Sequence, residues 1–532
     1  MIAKNEKIPS THNCKFVDEA FILDFYELTM AAAYHYSSYH KQKETKGIFE
    51  MFVRGLPKNR SYFVVAGIQQ VIDFVLNLSF NRSHISYLQT LPVMKNLDQR
   101  DGFFDYLLKF KFTGDIWAVP EGTILFPNEP IIRVQGPIIE SQLIETYVLC
   151  MVNFQSLIAT KASRLINAAR GKEVIEFGSR RAHGPQAAFL AARAAYIGGC
   201  AGTSNTLAGY KFGIPIYGTM AHSFIMSFEK EEEAFLQFNS IFPQSFILVD
   251  TYNTINAVKE IIRLGIKPRG IRLDSGDLYS ESVTARNLLD HAEVELERSD
   301  NDVDTKDHFT NTKIMASGDL NEYVIRDLVN RNAPIDIFAV GTELSTSRDD
   351  PAMNGVYKLV AVSAGGGQER EKNSVGGAKA SNDEIQSNIS KKEDDDTCSM
   401  CNTNTDKDLR LIYKMKTSHG KQTYPGPKQI YRILKKEKNN GTTCIKQDII
   451  SLTNESNISE KSSPLLLKYV EGGNLIRQLP LIASIQKYHL DQLKILPKRF
   501  KILDFVPVKF PVKYSKRLKS IYNNLNFSRR NR

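Results

Sequence analysis

Cysteine pairs and long apolar runs are scarce in this 532-residue sequence. The first scarcity argues against a disulfide-stabilised protein, and the second argues against a membrane-spanning protein. The six cysteines are scattered, which favours a reducing compartment over a disulfide framework. Cys398 and Cys401 have the spacing of zinc ligands, but no second pair lies near them, so the ligands of any metal stay unknown. No run of eighteen uninterrupted apolar residues is present, and residues 1–7 are polar. We therefore predict a cytoplasmic protein with no membrane span and no signal peptide.

Acidic residues are scarce only in the C-terminal part of the chain. Residues 409–532 hold 26 Lys and Arg against 7 Asp and Glu, whereas the rest holds 43 against 52. The basic residues of this tail are spread out, and near residue 512 they alternate with Phe510, Val512 and Tyr514. This pattern favours a solvated face, so no nucleic-acid partner is expected.

The first 137 residues mix helical and strand patterns. Residues 21–36 have the apolar rhythm of a helix, residues 47–53 read as a strand, residues 64–76 as a helix and residues 114–134 as interrupted strands. We predict an α+β side domain over residues 1–137, completed by the C-terminal segment 409–532. Residues 138–170 show a long, mostly apolar helical pattern that suits a helix packed between two domains.

From residue 172 the pattern alternates between short strands, polar turns and helices. Polar clusters follow seven predicted strands, at residues 178–181, 202–204, 218–222, 250–252, 274–277, 317–319 and 341–342. Alternating units of this length predict a parallel sheet, and a barrel would bring all seven clusters to one face. One such cluster alone is ordinary turn chemistry, but seven with arginines and a histidine indicate a reaction site. The predicted fold class is α/β, with an irregular barrel over residues 138–361.

The cationic and glycine-rich clusters indicate a small phosphorylated anion as the ligand. Arg180, Arg181 and Arg272 provide forked donors that suit carboxylate and phosphate groups. Gly318 and the Gly341-Thr342 pair offer backbone N–H groups that could surround a phosphate.

The acidic clusters and one histidine add groups for chemistry. Asp274, Asp277 and Asp319 are suited to Mg²⁺ or to ribose hydroxyls. His222 follows a short apolar strand that Gly218 ends. A lone histidine is more often structural, but these neighbours favour a chemical role.

Several motifs resemble nicotinate phosphoribosyltransferases, in order and over nearly the whole chain. The resemblance implies a type II phosphoribosyltransferase fold, an irregular α/β barrel with an α+β side domain, in a homodimer with shared active sites. The matching motifs are Phe21-Ile-Leu-Asp-Phe-Tyr-Glu-Leu-Thr-Met30, Gly202-Thr-Ser-Asn-Thr-Leu-Ala-Gly209, Gly218-Thr-Met-Ala-His-Ser-Phe224, Ile271-Arg-Leu-Asp-Ser-Gly-Asp-Leu278 and Pro425-Gly-Pro-Lys-Gln-Ile-Tyr-Arg432.

The resemblance also implies a reaction in NAD salvage. Nicotinate, 5-phosphoribosyl-1-diphosphate, ATP and water would give nicotinate mononucleotide, diphosphate, ADP and phosphate, with Mg²⁺ or Mn²⁺ as cofactor. His222 matches the histidine that this family phosphorylates transiently. By resemblance to the related nicotinamide enzyme, Asp250 would be the acceptor that fixes the other ring nitrogen of His222. A helix cap is the structural alternative for Asp250.

The remaining roles are implied position by position. Tyr26 matches the residue that stacks on the pyridine ring, across the dimer interface, and Thr219 and Arg272 match nicotinate-binding positions. The phosphoribosyl diphosphate would be bound by Arg180, Asp274, Asp319, Gly341 and Thr342.

Three other functions remain to be weighed. Nicotinamide phosphoribosyltransferase resembles this chain but has an aspartate where Ser204 stands, so a neutral Ser204 favours the acid. Quinolinate phosphoribosyltransferase is shorter and lacks the phosphorylated histidine. A basic RNA-binding protein would account for the tail but not for the seven polar clusters.

Residues 362–408 depart from the family pattern. This stretch is rich in Lys, Asn, Ser and Asp, a composition that cannot form a core, so we predict a disordered insertion outside every matched motif. Residues 439–463 are similarly polar and are predicted to be another loop.

Overall fold

The structure is a computed structural model that describes residues 18–41, 45–95, 97, 102–299, 309–363, 411–418, 421–436, 441, 443–456, 458, 462–503 and 508–530. The α-helices of these residues are α1 (Phe25–Lys41), α2 (Ile68–Asn77), α3 (Arg82–Thr90), α4 (Phe103–Leu108), α5 (Ile138–Gln142), α6 (Glu145–Ala169), α7 (Pro185–Ile197), α8 (Thr206–Phe212), α9 (His222–Met226), α10 (Glu231–Ile241), α11 (Thr254–Arg263), α12 (Leu278–Ser299), α13 (Glu322–Asn330), α14 (Thr342–Ser345), α15 (Ile482–Ile495) and α16 (Lys516–Arg530).

The strands form four sheets. They are β1 (Lys46–Val53), β2 (Phe63–Val64), β3 (Asp115–Ala118), β4 (Ile124–Leu125), β5 (Pro130–Pro137), β6 (Glu173–Glu176), β7 (Gly202–Thr203), β8 (Phe246–Leu248), β9 (Gly270–Leu273), β10 (Lys313–Ala316), β11 (Ile337–Val340), β12 (Gly355–Ser363), β13 (Leu411–Tyr413), β14 (Lys428–Lys436), β15 (Thr443–Leu452), β16 (Ser463–Pro464), β17 (Leu467–Glu471), β18 (Asn474–Leu475) and β19 (Val512–Tyr514).

A parallel sheet in the order β7-β6-β11-β10-β9-β8 forms the barrel half of the fold. Its strands are short and almost fully buried because helices cover them. A single parallel bridge between Thr203 and Ile216 adds the seventh predicted strand. The predicted α/β class with an irregular barrel is confirmed, and the barrel takes the form of a half-barrel.

The side domain is built on a seven-stranded sheet in the order β13-β12-β1-β5-β3-β17-β18. β1 lies between β5 and β12 and pairs antiparallel with both. Most of β12 falls within the 138–361 segment assigned to the barrel, yet the strand lies in this sheet. The side-domain sheet therefore combines strands from before, within and after that segment.

Helix α6 connects the two halves of the protein. Val148 and Val152, near its start, belong to the side-domain core, whereas Leu165 and Ala168, near its end, belong to the barrel core. By length and composition the stretch Ile138–Ala169 could cross a membrane, but 61% of its most apolar window is buried inside the protein. The predicted interdomain helix is confirmed, and its apolar character is explained by burial on both sides.

The motif 425–432 fastens the C-terminal segment to the side domain. Lys428 Nζ lies 2.7 Å from Glu50 of β1 as an ion pair, and the Lys428 backbone N–H donates to the same carboxylate at 2.6 Å. Arg432 pairs with Asp448 of the neighbouring strand at 2.6 Å. All four side chains are buried, so losing one partner would leave an uncompensated charge. The motif therefore has a structural role.

Two local predictions were wrong. The helix expected over residues 64–76 begins only at Ile68, because Gly67 is left-handed and Val64 pairs with Ile124. The loop expected over residues 439–463 contains strand β15, which pairs with β14 and buries Ile450.

The insertion predicted at residues 362–408 lies outside the described residues except for Val362 and Ser363, which end β12. Ser363 and Leu411 are antiparallel Cα partners, so the two ends of the intervening chain meet. Deleting residues 365–407 would leave four residues between them, a length that is common in hairpins. We expect turnover and oligomeric state to stay nearly unchanged, as measured by initial rates and size-exclusion chromatography.

A variant carrying a Gly/Ser linker of equal length in place of residues 365–407 is the control for that deletion. A several-fold loss of turnover in both variants, with thermal stability intact, would show that the insertion takes part in catalysis or its control.

His489 of α15 is buried between the two halves. Its Nδ1 lies 3.2 Å from the carbonyl oxygen of Gly122, and its Nε2 lies 3.1 Å from the Ser163 hydroxyl. Burial lowers the pKa of His489 to about 4, and the Gly122 hydrogen bond opposes that shift. The imidazole is therefore neutral at neutral pH.

Acid should destabilise the protein partly through His489. Between the ordinary pKa of 6.5 and the folded pKa of about 4, the unfolded chain binds a proton that the folded protein does not. This stability is complete above pH 6.5 and is lost as pH falls through about 4, a loss of about 3 kcal/mol. Urea unfolding should therefore show a smaller loss of stability over this window in His489→Asn, which keeps a donor for Gly122. Parallel pH curves for the two proteins would contradict this assignment.

Candidate active site

A cavity of about 520 Å³ lies at the carboxyl ends of β6, β9, β10 and β11. These strands and the segments that follow them supply its lining, which consists of Phe177, Arg180, Arg181, Arg272, Asp274, Ser317, Gly318, Asp319, Leu320, Ala339, Gly341, Thr342, Glu343 and Arg348. The cavity thus brings together six predicted site residues, namely Arg180, Arg272, Asp274, Asp319, Gly341 and Thr342. Thr219, His222 and Asp250 lie behind this lining, and Tyr26 does not line it.

The turn after β10 fits closely against the turn after β9. A Cβ on Gly318 would lie only 1.9 Å from the carbonyl oxygen of Asp274, and Gly318 has φ +80. Only glycine satisfies both constraints without a shift of the backbone. Asp319 follows with φ +42, a conformation that is uncommon outside glycine and is typical of functional sites.

Arg272 of β9 is held in place from behind. Its Nη1 donates to the Thr219 hydroxyl at 2.6 Å and to the Met220 carbonyl oxygen at 3.3 Å, and its Nη2 lies 3.5 Å from Asp274. Burial lowers the pKa of Arg272, and the carboxylates of Asp274 and Asp250 oppose that shift. An arginine stays charged in proteins, so a fixed guanidinium faces the cavity.

His222 is the first residue of the short helix α9, and its side chain is 41% exposed. Its Nδ1 lies 3.1 Å from the Thr251 hydroxyl. Its Nε2 lies 3.8 Å from Asp274 Oδ2, beyond hydrogen-bond distance. One ring nitrogen is thus engaged, and the other is open beside a residue that lines the cavity.

The direct contact expected between Asp250 and His222 is not found, because each side chain has another partner. Asp250 accepts from the Asp274 backbone N–H at 2.9 Å and from the Ser275 hydroxyl at 2.6 Å. Because the chain turns after β8, the next residue, Thr251, contacts the imidazole instead. Asp250 therefore positions the turn that carries Asp274.

Tyr26 lies in the side domain, on α1, and is 46% exposed. Its hydroxyl lies near the carboxylate of Glu145, at the start of α6. Burial raises the pKa of Tyr26, and the charges of Glu145 and Glu27 add to the shift. Within one chain, Tyr26 is thus separate from the cavity lining.

Two charged residues of the lining were missed by the sequence analysis. Glu343 and Arg348 lie beyond the Gly341-Thr342 pair and follow no strand directly, so the strand-end pattern could not locate them. Arg348 brings the cationic side chains of the lining to four, with Arg180, Arg181 and Arg272, against three carboxylates. The arrangement suits an anionic ligand that carries a divalent cation.

Two family models match consecutive parts of the chain. Residues 21–153 match the nicotinate phosphoribosyltransferase N-terminal domain, and residues 158–350 match the quinolinate phosphoribosyl transferase C-terminal domain. The second match covers the half-barrel, which these enzymes share. Fold and site together define a phosphoribosyltransferase.

Relatives in sequence show which family of phosphoribosyltransferases the chain resembles. A nicotinate phosphoribosyltransferase of Mycobacterium tuberculosis, pncB2, is 36% identical over 94% of this chain and 92% of its own length. The Bacillus subtilis nicotinate phosphoribosyltransferase is 34% identical over 94% of both chains. The chain belongs to the nicotinate phosphoribosyltransferase family.

Solved structures agree on the fold. Human nicotinic acid phosphoribosyltransferase superposes with a TM-score of 0.72 at 24% identity, over 94% of this chain and 99% of that one. A nicotinate-nucleotide pyrophosphorylase from Pyrococcus furiosus superposes with a TM-score of 0.62 at 23% identity, over 92% of this chain and 98% of that one.

Proposed function

We propose that the protein transfers the phosphoribosyl group of 5-phosphoribosyl-1-diphosphate to the ring nitrogen of nicotinate, in NAD salvage. The observation that carries this proposal is that one cavity combines a fixed Arg272 with the Gly341-Thr342 turn and further arginines. Purified protein should form nicotinate mononucleotide from the two substrates, and absence of the product would refute the proposal.

In this proposal, Arg272 binds the nicotinate carboxylate and Thr219 keeps the guanidinium in position. The hydrogen bonds from Nη1 to Thr219 and Met220 fix one edge of the guanidinium, and Nη2, which lies 3.5 Å from Asp274, would donate to the substrate. A carboxylate gains a charge-assisted contact that the carboxamide of nicotinamide cannot match. Nicotinamide is therefore the less favoured substrate.

The diphosphate would lie toward Arg180, Gly341 and Thr342. The pyridine nitrogen is already nucleophilic, so its attack on C1′ as the diphosphate leaves needs no strong base. Positioning and charge stabilisation would then supply most of the catalysis.

Magnesium would be bound together with the diphosphate. Among the described residues, no group of three or more His, Cys, Asp or Glu is arranged to hold a metal ion. Mg²⁺ commonly uses one or two carboxylates and the phosphates of the substrate, which fits Asp274 and Asp319 in the cavity. The cation would neutralise charge on the leaving diphosphate.

ATP would phosphorylate His222 on Nε2. In the tautomer whose Nδ1–H donates to Thr251, the lone pair of Nε2 would attack the γ-phosphorus while ADP leaves. Water later hydrolyses the phosphohistidine and releases phosphate. This cycle would favour a state that binds the phosphoribosyl donor tightly.

A homodimer would account for Tyr26. The ring is half-exposed, together with the neighbouring Phe25 at 43%, and does not line the cavity of its own chain. In the proposed dimer, Tyr26 stacks on the nicotinate bound to the partner. Gel filtration with light scattering would reveal a monomer if this assembly does not form.

A further inference from the structure

The turn at residues 347–350 connects the cavity to a buried cluster of charges. The Asp350 N–H donates to the Ser347 carbonyl oxygen at 2.9 Å, so Arg348 and Asp349 occupy the two corners of a β-turn. Arg348 lines the cavity. Ser347 is fully buried with φ +44, an uncommon conformation for serine that persists only where the surroundings enforce it.

The enforcing contact comes from Arg60, which lies between β1 and β2 of the side domain. Its Nη1 donates to Asp349 Oδ2 at 2.5 Å and its Nη2 donates to Asp349 Oδ1 at 3.0 Å. Nη2 also donates to the Ser347 hydroxyl at 3.1 Å. The Arg60 side chain is completely buried, so its charge depends on this carboxylate. One guanidinium thus contacts the residues on both sides of Arg348.

Further contacts hold the same turn. Lys161 of α6 lies 2.9 Å from Asp349 Oδ1 and 2.6 Å from Glu322 Oε2, and Asp350 accepts from the Lys58 N–H at 2.7 Å. Burial disfavours the ionised form of Asp349, but Arg60 and Lys161 outweigh it and hold the pKa of that carboxyl well below its usual range. The Asp349 side chain therefore stays ionised and keeps its contacts with Arg60 and Lys161.

We infer that Arg60 is a positioning residue for the reaction, which holds the turn so that Arg348 meets the diphosphate group of the phosphoribosyl donor. The inference rests on the proposed function. It gives the side domain a role in binding the donor, although Arg60 itself lies outside the cavity lining. If the ion pair between Arg60 and Asp349 were only structural, substituting Arg60 would lower the stability of the protein without changing KM.

Arg60→Lys tests this role, because lysine keeps the charge but lacks the fork that contacts Asp349 and Ser347 together. We expect KM for 5-phosphoribosyl-1-diphosphate to rise by roughly ten- to a hundredfold, while KM for nicotinate changes little. Arg193→Lys is the matched control, since Arg193 is equally buried and pairs with both oxygens of Glu121 away from the cavity. That control should lose stability without changing either KM.

A double-mutant cycle with Arg348→Ala separates positioning from direct structural effects. If Arg60 acts through Arg348, Arg60→Lys should add no further increase in the donor KM in the Arg348→Ala background. Additive increases, or an unchanged donor KM in active Arg60→Lys, would overturn the inference.

Asp349→Asn keeps the size of its side chain and is measured in parallel, so the test does not depend on one variant folding. It should raise the donor KM as Arg60→Lys does. Calorimetric titration of 5-phosphoribosyl-1-diphosphate supplies a readout that needs no turnover. An inactive wild-type enzyme would refute the proposed function, whereas equal donor affinity in wild type and Arg60→Lys would refute the inference.

Discussion

Replacing His222 with alanine should abolish the transfer of label from γ-labelled ATP to the protein. The wild type should become labelled with a phosphoryl group that is labile in acid and stable in base, as expected for a phosphohistidine. In the proposed cycle the imidazole is the nucleophile, because Thr251 engages Nδ1 while Nε2 lies beside Asp274, beyond hydrogen-bond distance. A slow, ATP-independent transferase activity should survive, since His222 takes no part in the glycosyl displacement. Autoradiography and product chromatography measure the two effects.

His291→Ala is the matched control for that experiment. His291 is an exposed histidine of α12 whose Nδ1 contacts only its own helix in the described residues, at the carbonyl oxygen of Asn287. It should become labelled as the wild type does. Equal labelling of His222→Ala and wild type would show that His222 is not the phosphorylated residue.

The second large effect should be a preference for nicotinate over nicotinamide. A charge-assisted hydrogen bond from Arg272 contributes on the order of 1.5–3 kcal/mol, which corresponds to roughly ten- to a hundredfold in kcat/KM. Arg272→Lys should raise KM for nicotinate because an ammonium group lacks the planar fork that Thr219 holds. Ser204→Asp should weaken nicotinate use more than nicotinamide use, because by resemblance to nicotinamide phosphoribosyltransferase an aspartate at this position would repel the nicotinate carboxylate. Steady-state kinetics with both substrates measure these effects.

Arg269→Lys serves as the control, since Arg269 precedes the same strand but lies over the Tyr217 and Phe246 rings. It should leave the preference intact. Equal use of both substrates by the wild type would contradict this view of the pocket, and a preference for nicotinamide would favour the sister enzyme.

The strand-end clusters could be predicted because each is a local pattern. Asp274 and Gly341 follow buried strands directly, Asp319 comes three residues after another, and parallel strands bring such positions together. The partner of His222 could not be predicted, because the choice between Asp250 and Thr251 depends on how the chain turns after β8.

Two other features could not be predicted from the sequence, because they depend on contacts between residues in different segments of the chain. Arg60 and Asp349 are separated by 289 residues, and no local pattern marks them as a pair. Strand β15 lies in a polar stretch with few apolar side chains. These side chains, such as Ile450, can be recognised as part of a strand only once its pairing with β14 is known. Local composition could not reveal either arrangement.

The pairing of β12 with β1 in the side-domain sheet imposes a delay during synthesis. Val53 of β1 pairs with Gly355, so one edge of β1 has no partner strand until the half-barrel has been translated. At about 5–20 residues per second, roughly 300 residues take on the order of 15–60 s. During that interval β1 of the nascent chain has an unpaired edge and mostly apolar side chains, and such an edge can pair with strands of other chains. Chaperone demand should therefore be greatest before residue 355 leaves the ribosome.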